Sequence, residues 1–167
     1  QTNQFNELDE EGDVAYAVKT MDAVVDTSVF VAGLRSTGGA SRQILRLCLQ
    51  GDICPLFGNA LWAEYEDLLS RPGWTNETSG DERRAVLAAL AQVGRWVKIF
   101  YGWRPNLSDE SDNHLIELAI AGQAHAVITH NVRDLRGGEL GWTHLAILTP
   151  AEFLENAHEY FDNSPSR

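Results

Sequence analysis

From residue 21 onward the chain alternates short apolar runs with segments whose apolar positions recur at helical spacing. Ala23-Val24-Val25 is a β-branched run that ends at Asp26, as a first strand would. Residues 41 to 49 carry Ile44, Leu45, Leu47, Cys48 and Leu49, with Arg42 and Arg46 on another face, which is the pattern of an amphipathic helix. Gly51 suits its end, and residues 53 to 57 read as a second strand. Asn59 can cap a helix through Leu69, stopped by Arg71-Pro72-Gly73. Residues 81 to 93, rich in Ala, Leu and Arg, predict another helix. A third strand is expected at 96 to 100, a loop through Ser108, and a helix over 112 to 121. Strands at 126 to 129 and 145 to 148 follow, and Thr149-Pro150-Ala151-Glu152 opens a last helix with Pro near its first position.

Strands that alternate with helices imply a parallel sheet covered on both faces, and these strands are apolar along their length, as doubly buried strands should be. Ligands of such sheets bind beyond the carboxyl ends of the strands. That rule singles out Asp26 after the first strand and Glu64 in the helix after the second. It also picks Asp109 and Asp112 around the start of the helix after the third, and Asn131 and Asp134 after the fourth. Carboxylates gathered on one sheet edge repel one another unless cations or protons compensate them. Hard oxygen donors in that number suit Mg²⁺ or Mn²⁺, which can activate water and neutralise a phosphodiester leaving group. Taken singly, each has a plainer role: Asp26, Asp109 and Asp112 as helix caps or dipole partners, Glu64 as a solvated helix residue, Asp134 as a partner of Arg133 or Arg136.

The length of 167 residues fits one domain. Residues 1–20 stand apart as an acidic extension, with Glu7, Asp9, Glu10, Glu11 and Asp13 against a single Lys19. They read as a cloning or start-site extension, a short tail, or a fused remnant of an upstream partner; the domain is expected over 21–160, and 161–167 as a C-terminal tail. The formal net charge of −11 excludes a protein that coats nucleic acid by bulk positive charge, although not an enzyme that reaches it through metal ions. Cys48 and Cys54 make neither a disulfide scaffold nor a zinc site and are expected to be reduced thiols. The five histidines show no tight zinc spacing; His130 alone lies near the proposed site. No run approaches a membrane span and no secretory leader is visible, so the expected compartment is the cytoplasm.

Five ordered blocks carry a resemblance: VVDTSVFVAGL (24–34), SRQILRLCLQGDI (41–53), ALWAEYEDLLSRPGW (60–74), DESDNHLIELAIAGQAHAVITHNVRDL (109–135) and ILTPAEFL (147–154). Together they resemble PIN-domain ribonucleases, and more narrowly the branch that acts as the toxin of toxin–antitoxin pairs. The resemblance implies a three-layer α/β/α sandwich around a mostly parallel sheet of about five strands. It implies metal-dependent cleavage of single-stranded RNA, with Asp26, Glu64 and Asp112 as catalytic acids and holders of Mg²⁺ or Mn²⁺. Asp109 and Asp134 would be further metal ligands. Thr27, Ser28, Thr129 and Asn131 would orient water and phosphate, and Arg42, Arg46 and Arg133 would attract phosphate, with Arg136 beside them. An antitoxin protein and a homodimer are the implied partners.

The chain departs from the family pattern in three places. Asn113 and Asn131 stand where acids are common, and Ser28 replaces a frequent Asn. The two asparagines motivate a rival reading, a weak or inactive PIN fold that binds RNA or protein. Trp62, Trp74 and Trp103 could stack on bases, but core or dimer packing is the plainer role. A phosphatase or receiver domain also opens with Asp after strand one. The first needs a second Asp where this chain has Ser28, and the only lysines, Lys19 and Lys98, do not suit the second.

Overall fold

A computed structural model describes residues 20–74, 78–100, 113–136, 145–157 and 159. Five strands build one sheet: β1 (Met21–Val25), β2 (Ile53–Phe57), β3 (Arg95–Trp96), β4 (Ala126–Ile128) and β5 (Ala146–Leu148). Every strand pair is parallel, and the spatial order is β3-β2-β1-β4-β5. The helices among the described residues are α1 (Thr27–Arg35), α2 (Ala40–Gln50), α3 (Asn59–Ser70), α4 (Gly80–Val93), α5 (Asn113–Ala121), α6 (Val132–Arg136) and α7 (Pro150–Glu155). This is the expected α/β architecture, with the sheet parallel throughout.

The strand order fixes where the fold can bind something. The chain proceeds outward from β1 to β2 to β3, then returns through α5 to lay β4 on the other side of β1. Right-handed crossovers put the connections of the two halves on opposite faces, so the carboxyl ends of β1 and β4 splay apart at a crevice. The core beneath it is apolar on both strands: Ala23, Val24, Val25, Ala126, Val127 and Ile128 are all buried. Phe30, Phe57 and Tyr65 extend it as an edge-to-face aromatic cluster, with centroids 4.9 Å apart for Phe30–Tyr65 and 5.9 Å for Phe57–Tyr65.

Two helices were not expected. α1 follows β1 after Asp26 alone and α6 begins at Val132, beyond the end of β4 at Ile128; the sequence pattern assigned no element to either segment. Asp26 is the N-cap residue of α1 but makes no side-chain capping bond, because its carboxylate is engaged elsewhere. The third strand, expected over 96 to 100, is only Arg95–Trp96. Its partner β2 ends at Phe57 and turns into α3, so after the bond from Val97 N to Phe57 O (2.8 Å) no strand remains to pair with. Gly58, not Asn59, is the N-cap of α3. The last helix begins as expected, with Thr149 and Glu152 forming a reciprocal capping box and Pro150 in the first turn. Of the expected segments, 1–19, the loop through Ser108 and the tail 161–167 lie outside the described residues.

Both cysteines are free thiols. Cys48 is fully buried, and burial pushes its thiol up to about 12. Cys54, half-buried beside Asp22, is raised as well, first by burial. The thiolate is the reacting species. Native protein at pH 8 should therefore react slowly with a thiol-alkylating reagent, Cys48 more slowly than Cys54, and both should label readily in denaturant; fast native labelling of Cys48 would contradict its burial.

Gly94 marks a close approach between helix α4 and the sheet. A Cβ there would stand 2.6 Å from Phe57 Cε2, 2.6 Å from Pro55 O and 2.9 Å from Leu90 O. Two of those neighbours are backbone and cannot turn aside. Gly94→Ala should lower stability by about 1–3 kcal/mol in urea unfolding; an unchanged midpoint would show that α4 can shift.

Candidate active site

At the crevice between β1 and β4 the Asp26 side chain is 6% exposed. A carboxylate so buried needs hydrogen-bond donors. Its Oδ2 accepts from Ser28 Oγ (2.7 Å) and from Thr129 Oγ1 (2.7 Å), and Oδ1 accepts a longer bond from Thr27 Oγ1 (3.3 Å). Each of the two closer hydroxyls also accepts a backbone N–H from the segment after β4: His130 N donates to Ser28 Oγ (3.2 Å) and Asn131 N to Thr129 Oγ1 (3.0 Å). Two hydroxyls therefore bind both halves of the sheet edge to one carboxylate oxygen. The backbone completes the join, with Asp26 N donating to Ile128 O (2.9 Å) and Thr129 N to Leu148 O (2.9 Å). His130 extends the chain of contacts through Nε2, 2.8 Å from Ser41 Oγ on α2.

Tyr65 secures the end of β1 from below. Its hydroxyl donates to Val25 O at 2.7 Å. Burial, reinforced by the Asp26 carboxylate, pushes this phenol well above its ordinary value, so it acts as a fixed donor. The residue before it, Glu64, points into the same cleft as Asp26 and lies 3.3 Å from His114 Nε2 through Oε2.

The cleft has a volume of about 650 Å³ and runs between α1 and α3. From α1 and its cap it takes Asp26, Thr27, Ser28, Val31, Ala32 and Arg35. From α3 and its end it takes Glu64, Asp67, Leu68 and Arg71, at spacings of three and four that put them on one helix face. Asn131 closes the edge after β4.

The residues predicted from sequence thus divide. Asp26, Thr27, Ser28, Glu64 and Asn131 line the cleft, and Thr129 lies directly behind Asp26. Asp109 and Asp112 lie outside the described residues. Asp134 is exposed in the first turn of α6 and is not part of the cleft wall. Arg42 is spent on structure, donating to Gly33 O (3.2 Å) and Ser36 O (3.5 Å), while Arg46 and Arg133 are exposed and do not line the wall. Arg136 donates to Ile147 O at 2.6 Å and 3.1 Å and pairs with Glu152. Trp62 packs on Phe57 and Trp96, Trp74 carries guanidinium groups on its ring, and neither lines the cleft; Trp103 is outside the described residues. The cations that do line the cleft, Arg35 and Arg71, were missed. Their signal is visible once α1 is recognised: Ser28, Val31, Ala32 and Arg35 form one helical stripe.

Among the described residues no three His, Cys, Asp or Glu side chains gather as a metal site. The donors present are nevertheless of the hard-oxygen type that suits Mg²⁺ or Mn²⁺. In addition, Asn113 Oδ1, next to His114 at the start of α5, is buried with no hydrogen-bond partner among the described residues. A buried acceptor without a donor costs about 1–3 kcal/mol and is relieved by a cation. The donor set fits a divalent ion in part.

Comparison with known proteins adds one finding. A family model described as PIN domain matches residues 22–133, more than half of the chain. No match was found among curated proteins.

The Asp26 junction makes a stability prediction. Thr129→Val keeps the shape but removes a donor to buried Asp26 and the acceptor of Asn131 N. It should cost about 1–3 kcal/mol in urea unfolding, more than Thr27→Val, whose bond is longer; equal effects would mean that the junction is not organised around Thr129.

Proposed function

Since the chain belongs to the PIN-domain family, whose members are generally nucleases, we propose that it is a metal-dependent endoribonuclease that cleaves single-stranded RNA, as the toxin of a toxin–antitoxin pair. The observation that carries the reading is the shared cleft: Asp26 and Glu64 face one space at the carboxyl edge of the sheet, held there by Ser28, Thr129 and Tyr65. The toxin assignment is supported by the five sequence blocks and their order.

In this reading Asp26 and Glu64 would hold the ion, and Asp112 would complete the set, with Asp109 as a further ligand. When bound, Mg²⁺ or Mn²⁺ would supply Lewis-acid stabilisation of negative charge on the phosphodiester and activation of water. The chain's own residues do the positioning. Ser28 and Thr129 fix the Asp26 carboxylate in one rotamer, so its outward lone pairs face the cleft without reorganisation. Asn131 lines the same wall with an amide that can orient water or a phosphoryl oxygen. His114, beside Glu64, restrains the second acid. Arg46 and Arg133 add long-range attraction for the strand, and Asp134 is a remote contributor. An antitoxin covering the cleft, and a homodimer in a cytoplasmic setting, complete the proposal. Among the described residues no helix is long and apolar enough to cross a membrane.

A second reading, an RNA-binding PIN fold without catalysis, is favoured by Asn113 and Asn131 in positions where acids are common. One assay separates the two. With Mg²⁺ or Mn²⁺ the wild-type chain should cut mixed-sequence single-stranded RNA, chelation should abolish the cutting, and Asp26→Asn and Glu64→Gln should each lower kcat by roughly a hundredfold or more. Binding without cutting by wild type would establish the second reading. Cutting that survives both substitutions would remove the proposed site.

A further inference from the structure

The two helical stripes of the cleft have the same order. On α1 the sequence runs from the acid Asp26 through Val31 and Ala32 to Arg35; on α3 it runs from Glu64 through Leu68 to Arg71. Contacts at both ends show that the stripes are aligned. At the acid end, Tyr65, adjacent to Glu64, bonds to Val25 O, adjacent to Asp26. At the other end, Trp74 Nε1 donates to Leu68 O at 3.0 Å while its ring carries the Arg35 guanidinium 5.3 Å from the centroid. At 1.5 Å of rise per residue, each arginine lies about 10–13 Å beyond its acid, more than one nucleotide step along a strand.

Arg35 differs from the arginines of the described residues that are tied to the backbone. Arg42, Arg83, Arg95 and Arg136 all donate to backbone carbonyls. Arg35 makes no hydrogen bond or ion pair among the described residues; its guanidinium carbon lies over the Trp74 ring and the residue lines the cleft, so its N–H groups are not committed to the fold there. On the opposite wall Arg71 pairs with Asp67, an exposed i, i+4 pair that costs little to open.

We infer that Arg35 and Arg71 form a phosphate-binding subsite for the RNA backbone, one or two nucleotides away from the bond cut at Asp26 and Glu64, with Trp74 as the residue that positions Arg35. The apolar floor of Val31, Ala32 and Leu68 takes the sugar or base between the two ends. This subsite gives an acidic protein a local grip on a polyanion and sets the direction in which the strand lies. It rests on the nuclease reading above.

The test is steady-state cleavage of a single-stranded RNA of about ten nucleotides at several salt concentrations. Arg35→Gln and Arg71→Gln should each raise KM about tenfold, leave kcat within about twofold, and reduce the slope of log KM against log salt by about 0.7. Arg84→Gln, which removes the same charge from the exposed face of α4, should match wild type. Trp74→Leu should copy Arg35→Gln, while Trp74→Phe should retain most of the affinity. A dinucleotide, too short to reach the arginines, should be cut equally by all. If wild type binds without cutting, the same comparison is read from Kd. Wild type that neither binds nor cuts RNA overturns both proposals. Wild type that acts on RNA, with Arg35→Gln and Arg71→Gln indistinguishable from Arg84→Gln, overturns the subsite alone.

Discussion

The side-chain bond from Thr129 to Asp26, 2.7 Å long and buried, crosses the one place in the sheet where the strand order reverses. Elsewhere the parallel strands are held by ladders and apolar packing, which need no particular residue. At the reversal the helices leave toward opposite faces, and beyond the backbone bond from Asp26 N to Ile128 O it is side chains that close the edge. Thr129 and Ser28 do so by donating to the same carboxylate oxygen and accepting the N–H groups of Asn131 and His130. The carboxylate is then a structural hub and the candidate chemical centre at once. Its rotamer is set before any ligand arrives, which is the condition for an electrostatic site to work without reorganisation.

The same constraint organises charge around the cleft. Helices α1 and α3 start at adjacent strand ends, so residues at equal depth on each face one another. Acids lie near the sheet edge, apolar residues midway and arginines at the far end. A chain with a net charge of −11 cannot attract a polyanion globally, so any affinity for one must be local. Trp74 contributes without lining the cleft itself: its N–H holds Leu68 O, and its ring holds Arg35 on the cleft and Arg83 at 4.5 Å. It is a structural aromatic that sets the position of a cation, rather than a platform for a base.

Much of this was legible in the chain. The β-branched run 23–25 and the apolar runs 53–57 and 126–128 could only be buried strands, and the helical stripes between them required parallel pairing. Asp26 was legible because an acid that directly follows such a strand has few structural reasons to be there. Helix α1 was not legible, because Thr27-Ser28-Val29 favours caps and strands locally; the helix forms because Val29, Phe30 and Leu34 are buried against the sheet and its neighbours. The third strand was overextended for a related reason: its length depends on where its partner β2 turns, which lies 40 residues away in the chain and leaves no local mark.

By itself, then, the sequence determined the class of fold, the apolar surfaces and two acids of the cleft, Asp26 and Glu64, since burial and side-chain chemistry are properties of residues and their near neighbours. The tertiary structure alone decided the strand order, and with it which hydroxyls reach Asp26. It also decided that Arg35 and Arg71, rather than Arg42, Arg46 or Arg133, line the cleft. Those outcomes depend on which helix faces meet across the sheet, and no local pattern of residues encodes a meeting between segments far apart in the chain.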